Sequence, residues 1–241
     1  MEVTKKHNIF QRDFTLLPIL ILLGFITRLF HITEQSLWHE EFVFIANARV
    51  CDFFSNLQLL YFNVPDYGIS PGGAVLYYFW VNLFPNQIWV WRLLPILFGI
   101  FSIVLLYYFG KSIGGVKVGF WAGLIMTLSP INIFIHQELK SYSFLLFLSL
   151  LSWFCLYKYI FSDSQKKLWL SLGAISNLLL PWFHVLYLLV PCLQIIFIFI
   201  FKNITIRDKC KWVVFSVLSL IISGMYLFVL NPSFYNSLLL E

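Results

Sequence analysis

"GGAVLYYFWVNLF", residues 72–84, decides the fold of this 241-residue chain. It carries no charge, yet its 13 residues fall short of the roughly 20 that a helix needs to cross a bilayer. Whether it crosses sets the parity of everything after it. If it crossed, "GKSIGGVK" (110–117) would face the outside. If it lies in the interface, one side of the membrane collects Lys5, Lys6, Arg12, Lys111, Lys117, Lys158, Lys166, Lys167, Lys202, Arg207, Lys209 and Lys211. These are 12 of the 16 Lys and Arg. Basic residues accumulate on the cytoplasmic side. The segment is therefore read as an interfacial or re-entrant helix, and the amino terminus as cytoplasmic.

Working outward, seven apolar runs read as spans: Phe14 to Phe30, Trp91 to Phe109, Phe120 to Phe134, Phe144 to Phe161, Leu168 to Pro181, Val185 to Phe201 and Trp212 to Leu230. Aromatic residues mark their ends, as Trp89 and Trp91 do opposite Tyr107 and Tyr108. The first run follows the basic flank "KKHNIFQR". It lacks the small-residue cleavage site of a signal peptide, so it reads as an uncleaved helix. Residues 31–90 form a long first outer loop with amphipathic stretches near 41–50, 53–63 and 72–84. Residues 135–143 form a short second one. The expected architecture is an all-α polytopic membrane protein of about seven helices in the plasma membrane. It forms a single transmembrane domain over residues 1–241, with no repeat, low-complexity tract or soluble domain.

Composition agrees. The chain is 60% hydrophobic and 20% aromatic, with 11% charged residues and a mean hydropathy of +0.84. A soluble domain is nearer half apolar and a quarter charged. The net charge of +5 does not indicate nucleic acid, because the basic residues are dispersed between apolar runs. Cys51, Cys155, Cys192 and Cys210 have no CxxC spacing. The topology puts no two at one surface, so no disulfide is expected.

The chemistry is expected outside. Seven of the 11 acids lie there: Glu34, Glu40, Glu41, Asp52, Asp66, Glu138 and Glu241. So do His31, His39, His136 and His184. Asp52, Asp66 and Glu241 read as a solvated loop face. Glu40 and Glu41, in "SLWHEEFVF" (36–44), sit beside Trp38 at the start of an amphipathic stretch, where carboxylates near a bilayer suggest function. His184 reads first as a packing or hydrogen-bonding residue at a helix end. No nucleotide-binding glycine motif and no GxSxG occurs. The outer His and Glu have no zinc spacing, so no metal site is assigned. A transporter would place ionisable groups within its spans, and spans two to seven hold almost none.

These residues carry a resemblance. "SLWHEEFVF" resembles the W-x-D-E motif in the first outer loop of the GT-C membrane glycosyltransferases, the dolichyl- or polyprenyl-phosphate-mannose protein mannosyltransferase-like group. "SPGGAVLYYFW" resembles the stretch that in the family begins His-Pro-Pro. "WRLLPILFGIFSIVLLYYFGKSIGG" is similar to its second span. "SPINIFIHQELKSYSF" resembles its Ser-Pro segment followed by Gln-Glu-Ala-Arg-x-Tyr-Ser. "LPWFHVLYLL" resembles a later span with an outer His. The matches run in family order across roughly residues 35 to 195. Glu40 stands in place of Asp, Lys140 in place of Arg, and Ile69-Ser70-Pro71 in place of His-Pro-Pro. The substitution of Lys for Arg exchanges a bidentate phosphate clamp for a point charge.

The resemblance implies a glycosyltransferase of the cell envelope. It would move a sugar from a polyprenyl-phosphate donor to a lipid, glycan or protein acceptor at the outer membrane surface. Glu40 would be the general base, with Glu41 as second choice or orienting partner. Lys140 and Arg92 would supply positive charge for the departing phosphate, and Glu138, Tyr142 and His184 would shape or contact the substrate. A divalent cation stays open as a cofactor, since related enzymes differ. The chain covers the family's amino-terminal seven-span module, whereas such enzymes usually run longer. A truncated or non-catalytic membrane scaffold is therefore the alternative expectation.

Overall fold

A computed structural model describes residues 2–34, 36–50, 52–55, 71–162, 164–201 and 204–229. Regular structure among them is helical, and no strand occurs among them. In chain order the principal helices are α1 (Glu2–Leu29), α2 (His39–Val50), α3 (Pro71–Leu83), α4 (Ile88–Leu128), α5 (Pro130–Gln137), α6 (Tyr142–Phe161), α7 (Lys166–Phe183), α8 (Leu189–Ile200) and α9 (Ile206–Val229). Two of them, α4 and α6, are long and apolar enough to cross a membrane. Residues 72–83 of the 72–84 stretch are helical as expected, within α3, and Phe84 follows its end. Most of the 53–63 stretch, together with Cys51, Asp66 and Glu241, lies outside the described residues.

The chain divides into two compact units. The first comprises residues 1–36 and 87–147, and the second residues 37–86 and 148–241.

In the first unit, α4 is a helical hairpin. Gly114 (φ −138°) and Gly115 (φ +82°) leave helical geometry, and the left-handed φ of Gly115 suits a residue without Cβ. The two arms then run back along each other. A Cβ on Gly119 would meet the Tyr107 carbonyl oxygen at 2.4 Å, and one on Gly110 would meet the Gly119 Cα at 2.9 Å. Glycines thus bring the backbones into contact, as small residues do between membrane helices. This turn coincides with the expected inner loop at 110–117.

The reading of Phe120 to Phe134 as one continuous span needs correction. The second arm stops at Leu128, Ser129 is extended (φ −66°, ψ 118°), and α5 starts afresh at Pro130. Proline lacks an N–H and cannot donate back to Met126, but it suits the first helical position. Its neighbours stay apolar, so a hydropathy run passes straight through the break.

In the second unit, α2 and α3 pair through Asn82, whose side-chain amide donates to the Ala48 carbonyl at 2.8 Å. Arg49 donates to the Phe84 carbonyl beyond the end of α3 at 3.4 Å. Three further helices share a closed ring of hydrogen bonds. Ser152 Oγ donates to Asn177 Oδ1 (2.5 Å), Asn177 Nδ2 to Gln194 Oε1 (2.9 Å), and Gln194 Nε2 to Ser152 Oγ (2.6 Å). All three residues are buried. They come from α6, α7 and α8, so polar residues within apolar helices satisfy one another. At the other end of α7 and α9, Lys166 and Lys211 flank Asp208 at 3.6 and 3.3 Å. Trp212 packs on Tyr159 and over Gly173.

The surface is apolar and the interior holds charge. Ile19, Leu22 and Ile26 of α1 are exposed, as are Trp121 and Ile125 of α4, Leu193 and Ile196 of α8, and Leu218 and Ile221 of α9. Arg28, Glu41, Arg92, His136 and Glu138 are buried. In a water-soluble domain Arg and Glu are almost never fully buried unless paired.

Candidate functional site

The candidate residues fall into both units. Arg92, Glu138, Lys140 and Tyr142 belong to the first, and Glu40, Glu41 and His184 to the second.

In the second unit, "SLWHEE" makes a helix start. Trp38 precedes the first turn of α2, and its carbonyl accepts the first helical bond from the Phe42 N–H at 3.0 Å. Glu41, three residues on, reaches back so that Oε2 accepts the Trp38 N–H at 2.9 Å. This is the acidic half of a capping box, and the carboxylate also faces the positive end of the helix dipole. Glu41 is fully buried while Trp38 is exposed. Of the two adjacent acids, then, Glu41 carries a backbone role in starting α2. The side chain of Glu40 lies outside the described residues.

His184 also acts on backbone. It is extended between α7 and a 3-10 turn (Val185–Leu188), and its Nδ1 accepts the Leu186 N–H at 3.3 Å. Its own N–H closes α7 by donating to the Leu180 carbonyl at 3.2 Å.

In the first unit, residues 136–140 leave α5 and run to α6. His136, Gln137, Glu138 and Leu139 are all buried. Residues 136–139, expected in a loop, therefore form an interior segment. Lys140 Nζ stands 3.9 Å from Glu138 Oε1, with side chains 19% and 6% exposed, and 6.0 Å from the Tyr142 ring centroid. The three candidates "E-L-K-S-Y" thus come together, with the carboxylate and the aromatic ring both at the ammonium. Arg92 is buried at the start of α4. Its guanidinium donates to the carbonyls of Ile32 (2.6 Å) and Ser36 (3.4 Å), in the segment leading to Trp38.

Two residues outside the expected set hold this region. Arg28, at the end of α1, is fully buried, and its Nε donates to His136 Nδ1 at 3.0 Å. Gln137 Nε2 donates to the Arg28 and Phe30 carbonyls, each at 2.9 Å. Burial pushes the His136 imidazole down to about 3, and the neighbouring Arg28 charge adds to the effect. The ring is neutral, with Nδ1 accepting. The one sequence signal for Arg28 was an arginine closing an apolar run.

His31 and Glu34 pair with each other just after α1. Asp52 accepts the N–H groups of Phe54 and Ser55, each at 3.0 Å, and is exposed, as its loop-face reading expected. Among the described residues no three His, Cys, Asp or Glu side chains converge as a metal site would require.

Neither protein-family models nor curated proteins show a match to this chain.

Proposed function

We propose that the chain is a seven-span membrane glycosyltransferase that takes its sugar from a polyprenyl phosphate. The observation that carries this reading is the pairing of Lys140 with the buried Glu138, beside the exposed Tyr142 ring, in a chain with many exposed apolar side chains. A lysine held within an interior segment suits a phosphate head that arrives on a lipid tail. The ordered motif resemblance adds the first-loop acids and the sugar chemistry.

The reaction balances simply. The acceptor oxygen or nitrogen attacks the anomeric carbon as the bond from that carbon to the phosphate oxygen breaks. The bonding electron pair leaves with the phosphate, whose growing charge Lys140 stabilises. The acceptor proton passes to a carboxylate. Glu40 is assigned that role, because Glu41 is engaged at the helix start. On this reading the long first loop and residues 135–143 face outward, and the acceptor is a lipid, glycan or protein.

The test is incubation of purified protein with a panel of polyprenyl-phosphate sugars, followed by mass spectrometry of released lipid phosphate and glycosylated product. Glu40→Gln is expected to lower turnover by about 10²- to 10⁴-fold, the usual contribution of a general base. Donor binding should change little. Full turnover in Glu40→Gln refutes the assignment of the base. Absence of transfer from every donor by the parent protein refutes the function.

A further inference from the structure

Arg28 is a fully buried cation whose partners include no carboxylate among the described residues. Nη1 donates to the Thr127 carbonyl (3.2 Å), the Gly24 carbonyl (3.3 Å) and Thr27 Oγ1 (3.1 Å). Nη2 donates to the Met126 carbonyl (3.3 Å), and Nε to His136 Nδ1 (3.0 Å). The break at Ser129–Pro130 explains the choice. In a continuous helix the Met126 carbonyl would receive the N–H of residue 130, which proline lacks. The Thr127 carbonyl would receive that of Ile131, which the extended Ser129 carries away. Two adjacent carbonyls at the negative end of a helix are left over, and a planar guanidinium satisfies both at once.

The same guanidinium fixes His136. Because Nδ1 accepts from Arg28, the ring hydrogen sits on Nε2. The ring packs against α4 where Gly99 leaves room, since a Cβ there would stand 2.6 Å from the imidazole Cγ. Gln137 completes the grip in the opposite direction by donating to two carbonyls at the end of α1. Residues 136 and 137 are thus tied to α1 from both sides. Glu138, Leu139 and Lys140 follow with no residue between.

We infer that Arg28 is the positioning residue for the 138–140 segment: the place of the Glu138–Lys140 pair is set by a guanidinium on the first helix. The inference rests on the proposed reading of Lys140 as a substrate contact.

Two measurements test it separately. In a background without native cysteines, Lys140→Cys is modified in proteoliposomes by a methanethiosulfonate bearing a trimethylammonium group. Rates are compared in the parent, Arg28→Lys and Gln137→Met. Arg28→Lys keeps the charge and loses the fork, while Gln137→Met keeps Arg28 and removes the opposing bonds. Loosening of about 1 kcal/mol corresponds to about a fivefold faster modification at position 140. A cysteine at position 113, on the far turn of α4, should react at the parental rate. Unchanged rates at 140 in both variants overturn the inference. The second measurement keeps Lys140 and reads kcat and KM for transfer from polyprenyl-phosphate mannose or another accepted donor. In Arg28→Lys, kcat/KM should fall by up to about 10²-fold, as expected of a displaced site. Faster modification with an unchanged kcat/KM makes Arg28 a packing residue and also overturns the inference. If the parent transfers no sugar at all, the proposed function falls, and the modification rates still decide whether Arg28 places the segment.

Discussion

At the scale of single residues, buried polar side chains define the first unit, and His136 is the most informative. Its pKa lies near 3 in the fold, against about 6.5 in an unfolded chain. The folded state therefore resists protonation. Stability is fully present above about pH 6.5 and is lost as pH falls toward 3, because the unfolded chain takes up a proton that the native ring refuses. The slope approaches about 1.4 kcal/mol per pH unit in that window. His136→Gln should remove most of this dependence. Thermal midpoints at pH 7.5 and 5 should show a larger acid loss in the parent than in the variant. Gly99→Ala should destabilise by about 1–3 kcal/mol, because the new Cβ must displace the His136 ring. The first-loop acids should separate by the same approach. Glu41→Ala removes the acceptor of the Trp38 N–H and should cost about 1 kcal/mol. Glu41→Gln retains an acceptor and should stay near parental, measured by unfolding in detergent.

At the scale of elements, the ring of Ser152, Asn177 and Gln194 makes the strongest prediction. Each member both donates and accepts, so replacing one leaves the other two with unmet groups inside an apolar packing. Asn177→Leu and Gln194→Leu should each destabilise. Their double variant should cost less than the sum by about 1 kcal/mol, read from a double-mutant cycle on thermal or denaturant unfolding. Helix positions were largely legible in the sequence, because long apolar runs with aromatic ends report directly on burial in an apolar medium. The break at Ser129 was harder to see. Pro130 was visible, but a proline at a first helical position and one that interrupts a span look alike when both flanks are apolar. The partners of Arg28 were not legible at all. Its contact with His136 joins residues 108 positions apart, and nothing local encodes which carbonyls another helix will leave over. Lys140 and Tyr142, which the motif singled out, lie close because only one residue separates them in the chain. That Glu41 caps its own helix could have been read from the three-residue spacing to Trp38, had Trp38 been an ordinary capping residue.

At the scale of the whole molecule, the proposed topology makes positions 89 and 113 opposites. Trp89 lies in the first turn of α4 and Ile113 lies beside the glycine turn; both are exposed. In sealed, right-side-out vesicles without other reactive cysteines, a membrane-impermeant maleimide should label a cysteine at position 89 and spare one at 113. The reverse pattern would invert the chain and move Glu138 and Lys140 to the cytoplasmic face. The Arg28 cluster also bears on how the chain is made. The ribosome delivers Arg28 with the first helix, while His136 emerges 108 residues later. At roughly 5–20 residues per second, that interval lasts on the order of 5–20 s. For most of that time the guanidinium in the last turn of α1 has neither the Met126 and Thr127 carbonyls nor the imidazole. Until α5 arrives its charge is stabilised by hydration, and it then becomes a buried cation. The polar contacts that fasten the end of α1 are complete only once residue 137 has been added.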